Sequence, residues 1–224
     1  MPLKKKLDEA ELFMFDLDGT LVEFHFEFLF DEVKRIGEIL GHPPVPRPIL
    51  ESGFRSFDFF RFVDESQIPR AKYRDDFWKH FKPEQIPAPV LLEGVVETLT
   101  LLRGKGKKLA LVTSRFEPAE KICKSLEDCG ILSFFDSVAS KTSHEHFWSD
   151  KRPQIAQTLE KLNIPADKAV MVGDVPPDIS SARLSGVSVV ISLLSGGLDR
   201  AVLEAENPDF LLEGVHQIPS IFNR

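Results

Sequence analysis

Four short stretches of this sequence place carboxylates, hydroxyls or a lysine where apolar runs stop. Asp16-Leu17-Asp18-Gly19-Thr20 follows Glu11 to Phe15, and Thr113-Ser114 follows Lys108 to Val112. Lys151 opens a stretch carrying Ile155, Leu159 and Leu162 at helical spacing, and Asp174, with Asp178 four residues on, follows Lys168 to Val172 and Gly173. Residues i and i+2 of an extended segment point to one side, so Asp16 and Asp18 are expected to converge. Two carboxylates held close repel each other, which invites a divalent cation or a shared proton. Hard oxygen ligands from Asp16 and Asp174, without imidazole or thiolate, suit Mg²⁺ better than Zn²⁺. Each stretch also has a plainer reading. Asp18-Gly19 makes a turn, Thr113 and Asp178 cap helices, and Lys151 is a solvated lysine in a first helical turn. Their joint occurrence in order, each at a strand end or helix start, favours one shared site.

Short apolar runs alternating with helical patterns are what position these residues. That alternation signals an α/β fold built on a parallel sheet. Strands are expected at Glu11–Phe15, Lys108–Val112, Asp136–Ser140, Lys168–Val172, Val187–Ser192 and Phe210–Leu212. Helices are expected at Val95–Leu102, Glu117–Cys129 and Lys151–Leu162. Residues 21 to 90 differ: eleven of the nineteen phenylalanines lie there, and no strand signal does. Phe26, Leu29, Phe30, Val33, Ile36 and Leu40 fall at helical spacing. Further helical stretches are expected over Leu50–Val63 and Arg70–Phe81, after a proline-rich break from Pro43 to Pro48. The aromatics read as the core of a small helical insertion rather than as a ligand cage.

The bulk properties narrow the function classes. A chain of 224 residues accommodates one large domain, or a core with a modest insertion. A net charge of −7 argues against general nucleic-acid binding, which needs a basic face for phosphates. No apolar stretch approaches membrane-spanning length, and Leu12 to Phe15 is too short for a signal peptide. Lys4-Lys5-Lys6 is expected to be a solvated, frayed terminus. Cys123 and Cys129 suit neither a zinc knuckle nor a disulfide framework, and a reducing cytoplasm is the simplest home.

The ordered set of D-x-D-G-T after an apolar strand, an apolar strand ending in Thr113, then Lys151, then G-D-x-x-x-D resembles the haloacid dehalogenase superfamily of phosphatases. The likeness covers about residues 11 to 22 and 90 to 200, including Glu93-Gly94-Val95 and Ala182 to Val187. It implies a Rossmann-like parallel-sheet core, residues 1–22 and 91–224, with a helical cap, residues 23–90, inserted after the first strand. The position of that cap is similar to phosphoglycolate-phosphatase-like members, and such an insertion is expected to close over a small substrate.

The resemblance also implies roles. Asp16 attacks phosphorus, and Asp18 protonates the leaving oxygen and later activates water. Mg²⁺ is held by Asp16, by Asp18 through its backbone carbonyl, and by Asp174, with Asp178 nearby. Thr113, Ser114 and Lys151 bind the phosphoryl oxygens. The implied activity is Mg²⁺-dependent hydrolysis of a small phosphorylated metabolite through a phosphoaspartate. A β-phosphoglucomutase-like phosphomutase and a non-catalytic binding protein of the same fold are the alternatives. Two departures stand out: Lys151-Arg152-Pro153 where many relatives have Lys-Pro, and Glu23-Phe24 where many have Asp-Ser. Lys141, after the expected strand at Asp136–Ser140, competes with Lys151 as the phosphate lysine.

Overall fold

The computed structural model describes residues 2–115, 117–141 and 150–222. Residues 1, 116, 142–149, 223 and 224 of the expected core lie outside them. The described chain divides into two compact units, Met1–Phe24 with Ala88–Arg224, and His25–Pro87.

The first unit is built on a six-stranded sheet in the order β3-β2-β1-β4-β5-β6. Its strands are β1 (Leu12–Phe15), β2 (Lys108–Val112), β3 (Ser137–Ala139), β4 (Ala169–Gly173), β5 (Val189–Leu193) and β6 (Phe210–Leu212). Every pairing is parallel. Parallel sheets carry crossover helices on both faces, so their central strands are apolar throughout rather than alternating. That accounts for Leu12-Phe13-Met14-Phe15 and for β4, all buried. Each of the six strands arises where an apolar run predicts one, with ends that differ by at most two residues.

The crossover helices are α5 (Val95–Gly104), α6 (Ala119–Asp128), α7 (Arg152–Leu162) and α8 (Pro176–Leu184). Gly94, in the left-handed region at φ 75°, precedes α5, and Gly130 follows α6 in the same region. Helix α8 has no counterpart among the expected helices. Pro176 and Pro177 occupy its first turn, where the missing N–H costs nothing. Short helices α9 (Arg200–Glu204) and α10 (Ile218–Ile221) complete this unit.

The amino terminus corrects an expectation. Instead of a frayed tail, Leu3–Glu9 forms helix α1, and Leu7 is 1% exposed within the core cluster. Lys4 and Lys5 are exposed, as a charge run on a helix surface allows, and a single buried leucine tethers the turn. Both cysteines are free thiols.

The second unit contains α2 (Phe26–Leu40), α3 (Arg47–Arg55) and α4 (Arg70–His80). The expected helix over Leu50–Val63 starts earlier and stops at Arg55. There Ser56 Oγ turns back to the carbonyls of Ser52 and Gly53, and Phe57 adopts φ 56°. Phe60, Tyr73, Phe77 and Trp78 are buried together with edge-on ring contacts at centroid separations of 5.0–6.2 Å, so these aromatics are the core of the unit. Buried Glu32 holds it from within. It accepts from Arg35 Nε and Nη2 at 2.6 and 2.7 Å and from the Lys82 backbone N–H at 3.1 Å.

Candidate active site

Three adjacent strands deliver three of the expected residues. Asp16 directly follows β1, Thr113 follows β2 and Asp174 follows β4, with β1 lying between the other two. The chain runs outward from β1 through β2 to β3, then restarts at β4 on the other side. Open α/β sheets bind ligands in the crevice beyond the carboxyl ends at such a reversal.

Asp16, Asp174 and Asp178 meet there as a buried cluster, each offering a carboxylate oxygen within 4.8 Å of the others. Asp178, in the first turn of α8, accepts the N–H groups of Asp174 and Val175 at 3.0 and 3.1 Å, which folds the loop after β4 onto the helix start. Thr20 Oγ1 donates to Asp174 Oδ1 at 2.9 Å. Gly19, at φ 80°, passes so close to Asp174 that a Cβ there would meet its carboxylate. This is the physical demand behind the Asp-Gly-Thr triplet.

Lys151 immediately precedes α7 and is 1% exposed. Its Nζ lies 2.5 Å from Asp16 Oδ1 and 2.5 Å from Asp178 Oδ1, and its N–H donates to Ser181 Oγ at 2.9 Å. Burial works against its charge, but the carboxylates of Asp16 and Asp178 outweigh it and hold its pKa above the usual lysine range. The α7 face that continues Lys151 is Gln154, Ile155 and Thr158, all buried. Leu159 and Leu162 are only half-buried, so the stripe is rotated from the one expected.

The cluster holds three carboxylates against one ammonium. Each like-charged pair at that separation repels by roughly 3–4 kcal/mol at an effective dielectric near 20. Burial, reinforced by Asp178, pushes Asp16 up to about 7 despite the pull of Lys151. Asp174 is raised as well, by burial and then by Asp16 and Asp178. A buried, oxygen-only donor set with surplus negative charge fits a hard divalent cation such as Mg²⁺.

Asp18 is near enough to Asp16 for its charge to act on it, but its carboxylate lies outside the buried cluster of three. It meets Arg115, whose Nε and Nη2 donate to its two oxygens at 2.7 and 2.6 Å. Thr113 is buried and accepts the Arg115 N–H on Oγ1 at 3.1 Å, while Ser114 beside it is half-buried. Lys141, buried after β3, donates its N–H to the Arg115 carbonyl at 3.3 Å. Burial first, and Lys151 second, push its pKa down to about 8.

Sequence reasoning missed Arg115, Ser181 and Ser195, whose hydroxyl donates to the Gly19 carbonyl at 2.6 Å. An arginine after two hydroxyl residues carries no distinguishing signal, and the two serines are brought in from α8 and from the loop beyond β5.

A six-stranded parallel sheet with a buried carboxylate cluster at its reversal defines the class as a Rossmann-like α/β fold with an acidic site at the sheet's carboxyl edge. The model of the family described as haloacid dehalogenase-like hydrolase matches residues 13–192, and the chain belongs to that family. Among its relatives, the pyrophosphatase PpaX of Bacillus cereus is 27% identical over 214 residues, covering 94% of this chain and 95% of its own. The phosphoglycolate phosphatase of Aquifex aeolicus is 25% identical over 209 residues, 89% and 90% of the two chains. The haloacid dehalogenase-like protein SP0104 of Streptococcus pneumoniae shares the fold, with a TM-score of 0.74 at 19% identity, covering 96% and 99%.

Proposed function

We propose that this protein is a Mg²⁺-dependent phosphatase that hydrolyses a small phosphorylated metabolite through a phosphoaspartate on Asp16. The observation that carries this reading is the buried Asp16 carboxylate, gripped on one oxygen by Lys151 beside Asp174 and Asp178. Relatives named pyrophosphatase and phosphoglycolate phosphatase support the choice of phosphorus chemistry.

Asp16, Asp174 and Asp178, with the backbone carbonyl of Asp18, would hold the cation. When bound, it would offset negative charge on the phosphoryl oxygens and on the nucleophile. The residues themselves account for the remaining steps. Asp16 attacks phosphorus, the bond to the leaving oxygen breaks, and Asp18 gives that oxygen a proton. Asp18 then takes a proton from water as the water attacks the acyl phosphate, releasing phosphate and restoring Asp16. Lys151 orients Asp16 and, with the Thr113 hydroxyl and the Ser114 N–H, faces the transferring oxygens. Phosphoryl transfer depends on such positioning and charge cancellation more than on covalent help.

The test is a screen of small phosphate esters, para-nitrophenyl phosphate included, with Mg²⁺, scored as released phosphate against Asp16→Asn. Hydrolysis that disappears with EDTA, returns with Mg²⁺ and drops below a few per cent in Asp16→Asn is expected. Retained turnover in that variant would remove the nucleophile assignment.

A further inference from the structure

Arg115 is a buried cation that the steps above leave without a task. It is 6% exposed, while the Asp18 side chain it grips is 24% exposed. Its Nη1 lies 3.7 Å from Glu117 Oε2. Its backbone is anchored on both sides, by N–H to Thr113 Oγ1 and by carbonyl to the Lys141 N–H. The guanidinium is close enough to Asp16 for that charge to act on it. A cation has therefore been fixed at the rim of the nucleophile, with its fork turned to a carboxylate that water reaches.

We propose that Arg115 is a specificity-determining residue that docks an anionic group, a carboxylate or a phosphoryl, on the leaving half of the substrate. The inference rests on the phosphatase reading. A planar guanidinium fork accepts the paired oxygens of carboxylates and phosphoryl groups with equal geometric ease, so a substrate anion replaces Asp18 without loss of hydrogen bonds. No covalent bond changes in this exchange; one ion pair is traded for another. The trade has a chemical consequence for Asp18. In the structure both its oxygens accept hydrogen bonds from Arg115, and exchange of that ion pair for one with the substrate frees both. A substrate bearing its own anion releases Asp18 to work at the ester, whereas a neutral leaving half offers nothing in exchange.

The experiment compares 2-phosphoglycolate, pyrophosphate and ethyl phosphate, with Mg²⁺, in wild type, Arg115→Lys and Arg115→Met. Their leaving halves carry a carboxylate, a phosphate and no charge. Wild type is expected to favour at least one anionic substrate over ethyl phosphate. That preference, as a ratio of kcat/KM, should collapse by about 10²-fold in Arg115→Met, the scale for losing one charged partner, and mostly through KM. Whichever ratio collapses identifies the anion. Arg115→Lys keeps the charge but not the fork and should retain part of the preference; it carries the comparison alone if the methionine variant does not fold. An equal loss on all three substrates would overturn the proposal, because Arg115 would then only orient Asp18. A wild type that cleaves ethyl phosphate as readily as the others overturns it while leaving the phosphatase reading intact. A wild type inert toward every ester overturns both.

Discussion

Asp16, the proposed nucleophile, carries two opposed demands: a nucleophile must be ionised, yet burial and Asp178 push its pKa from 3.8 up to about 7. The sign of the resulting linkage follows. A carboxylate whose folded-state pKa exceeds its unfolded value stabilises the fold below the unfolded pKa and loses that contribution as pH rises through the folded one. Metal-free protein is therefore expected to lose thermal stability between about pH 4 and 7, with Asp174 acting in the same direction. Mg²⁺ should raise Tm more at pH 7.5 than at pH 5, where protons compete for the same oxygens. A metal-induced Tm shift independent of pH would contradict this account. The lysines make a second contrast at this scale. Lys151 touches Asp16 and Asp178, whereas Lys141 is tied to the site through its backbone contact with Arg115. Lys151→Ala should lower kcat/KM by roughly 10²–10³, as expected for one transition-state charge partner, and Lys141→Ala by only a few-fold. The reverse ranking would make Lys141 the phosphate ligand.

The element that matters most is the turn from Asp16 to Val22. Leu17 accepts backbone N–H groups from Leu21 and Val22, and Gly19 donates to Val22, which winds the chain tightly between Asp16 and the start of the insertion. Gly19 is in the left-handed region, and any side chain there would run into Asp174. Gly19→Ala should therefore lose about 1–2 kcal/mol for the backbone alone, with more from displacement of Asp174. Urea unfolding gives that loss, and a phosphatase assay should show turnover falling with it. Near-wild-type stability together with full activity would mean the turn is looser than this geometry requires.

At the scale of the whole molecule, the chain leaves and re-enters the sheet-bearing unit across one zipped pair of segments. Glu23 N–H bonds to the Val90 carbonyl at 2.8 Å, Val22 pairs antiparallel with Leu91, and Leu92 N–H bonds to the Leu21 carbonyl at 3.0 Å. These contacts all lie within the first unit, as does its apolar cluster from Leu7 to Phe222. Replacing residues 25–87 by a short Gly-Ser linker should leave a core that unfolds cooperatively with its sheet intact, measured by far-UV circular dichroism and urea titration. An aggregated or non-cooperative product would show that the core needs the insertion to fold. Intact protein should also release phosphate from small esters faster than from a folded phosphoprotein, since the proposed substrate is a small metabolite.

Much of this protein was legible in one dimension because its signals are local. Parallel strands buried on both faces must be apolar runs, so all six strands stood out, and Asp16, Thr113 and Asp174 stood directly beyond such runs. Residues 21 to 90 likewise betrayed a separate helical core through their phenylalanines. Tertiary structure decided what depends on meeting across sequence: that Asp178 and Lys151, 27 positions apart, share a contact; that Thr20 holds Asp174; and that Asp18 pairs with Arg115, 97 residues away. The physical reason is that local spacing fixes the direction of a side chain only while the backbone stays regular. Beyond Phe15 the chain turns, and the partner of each charge is then set by which loops the sheet order brings to the same edge.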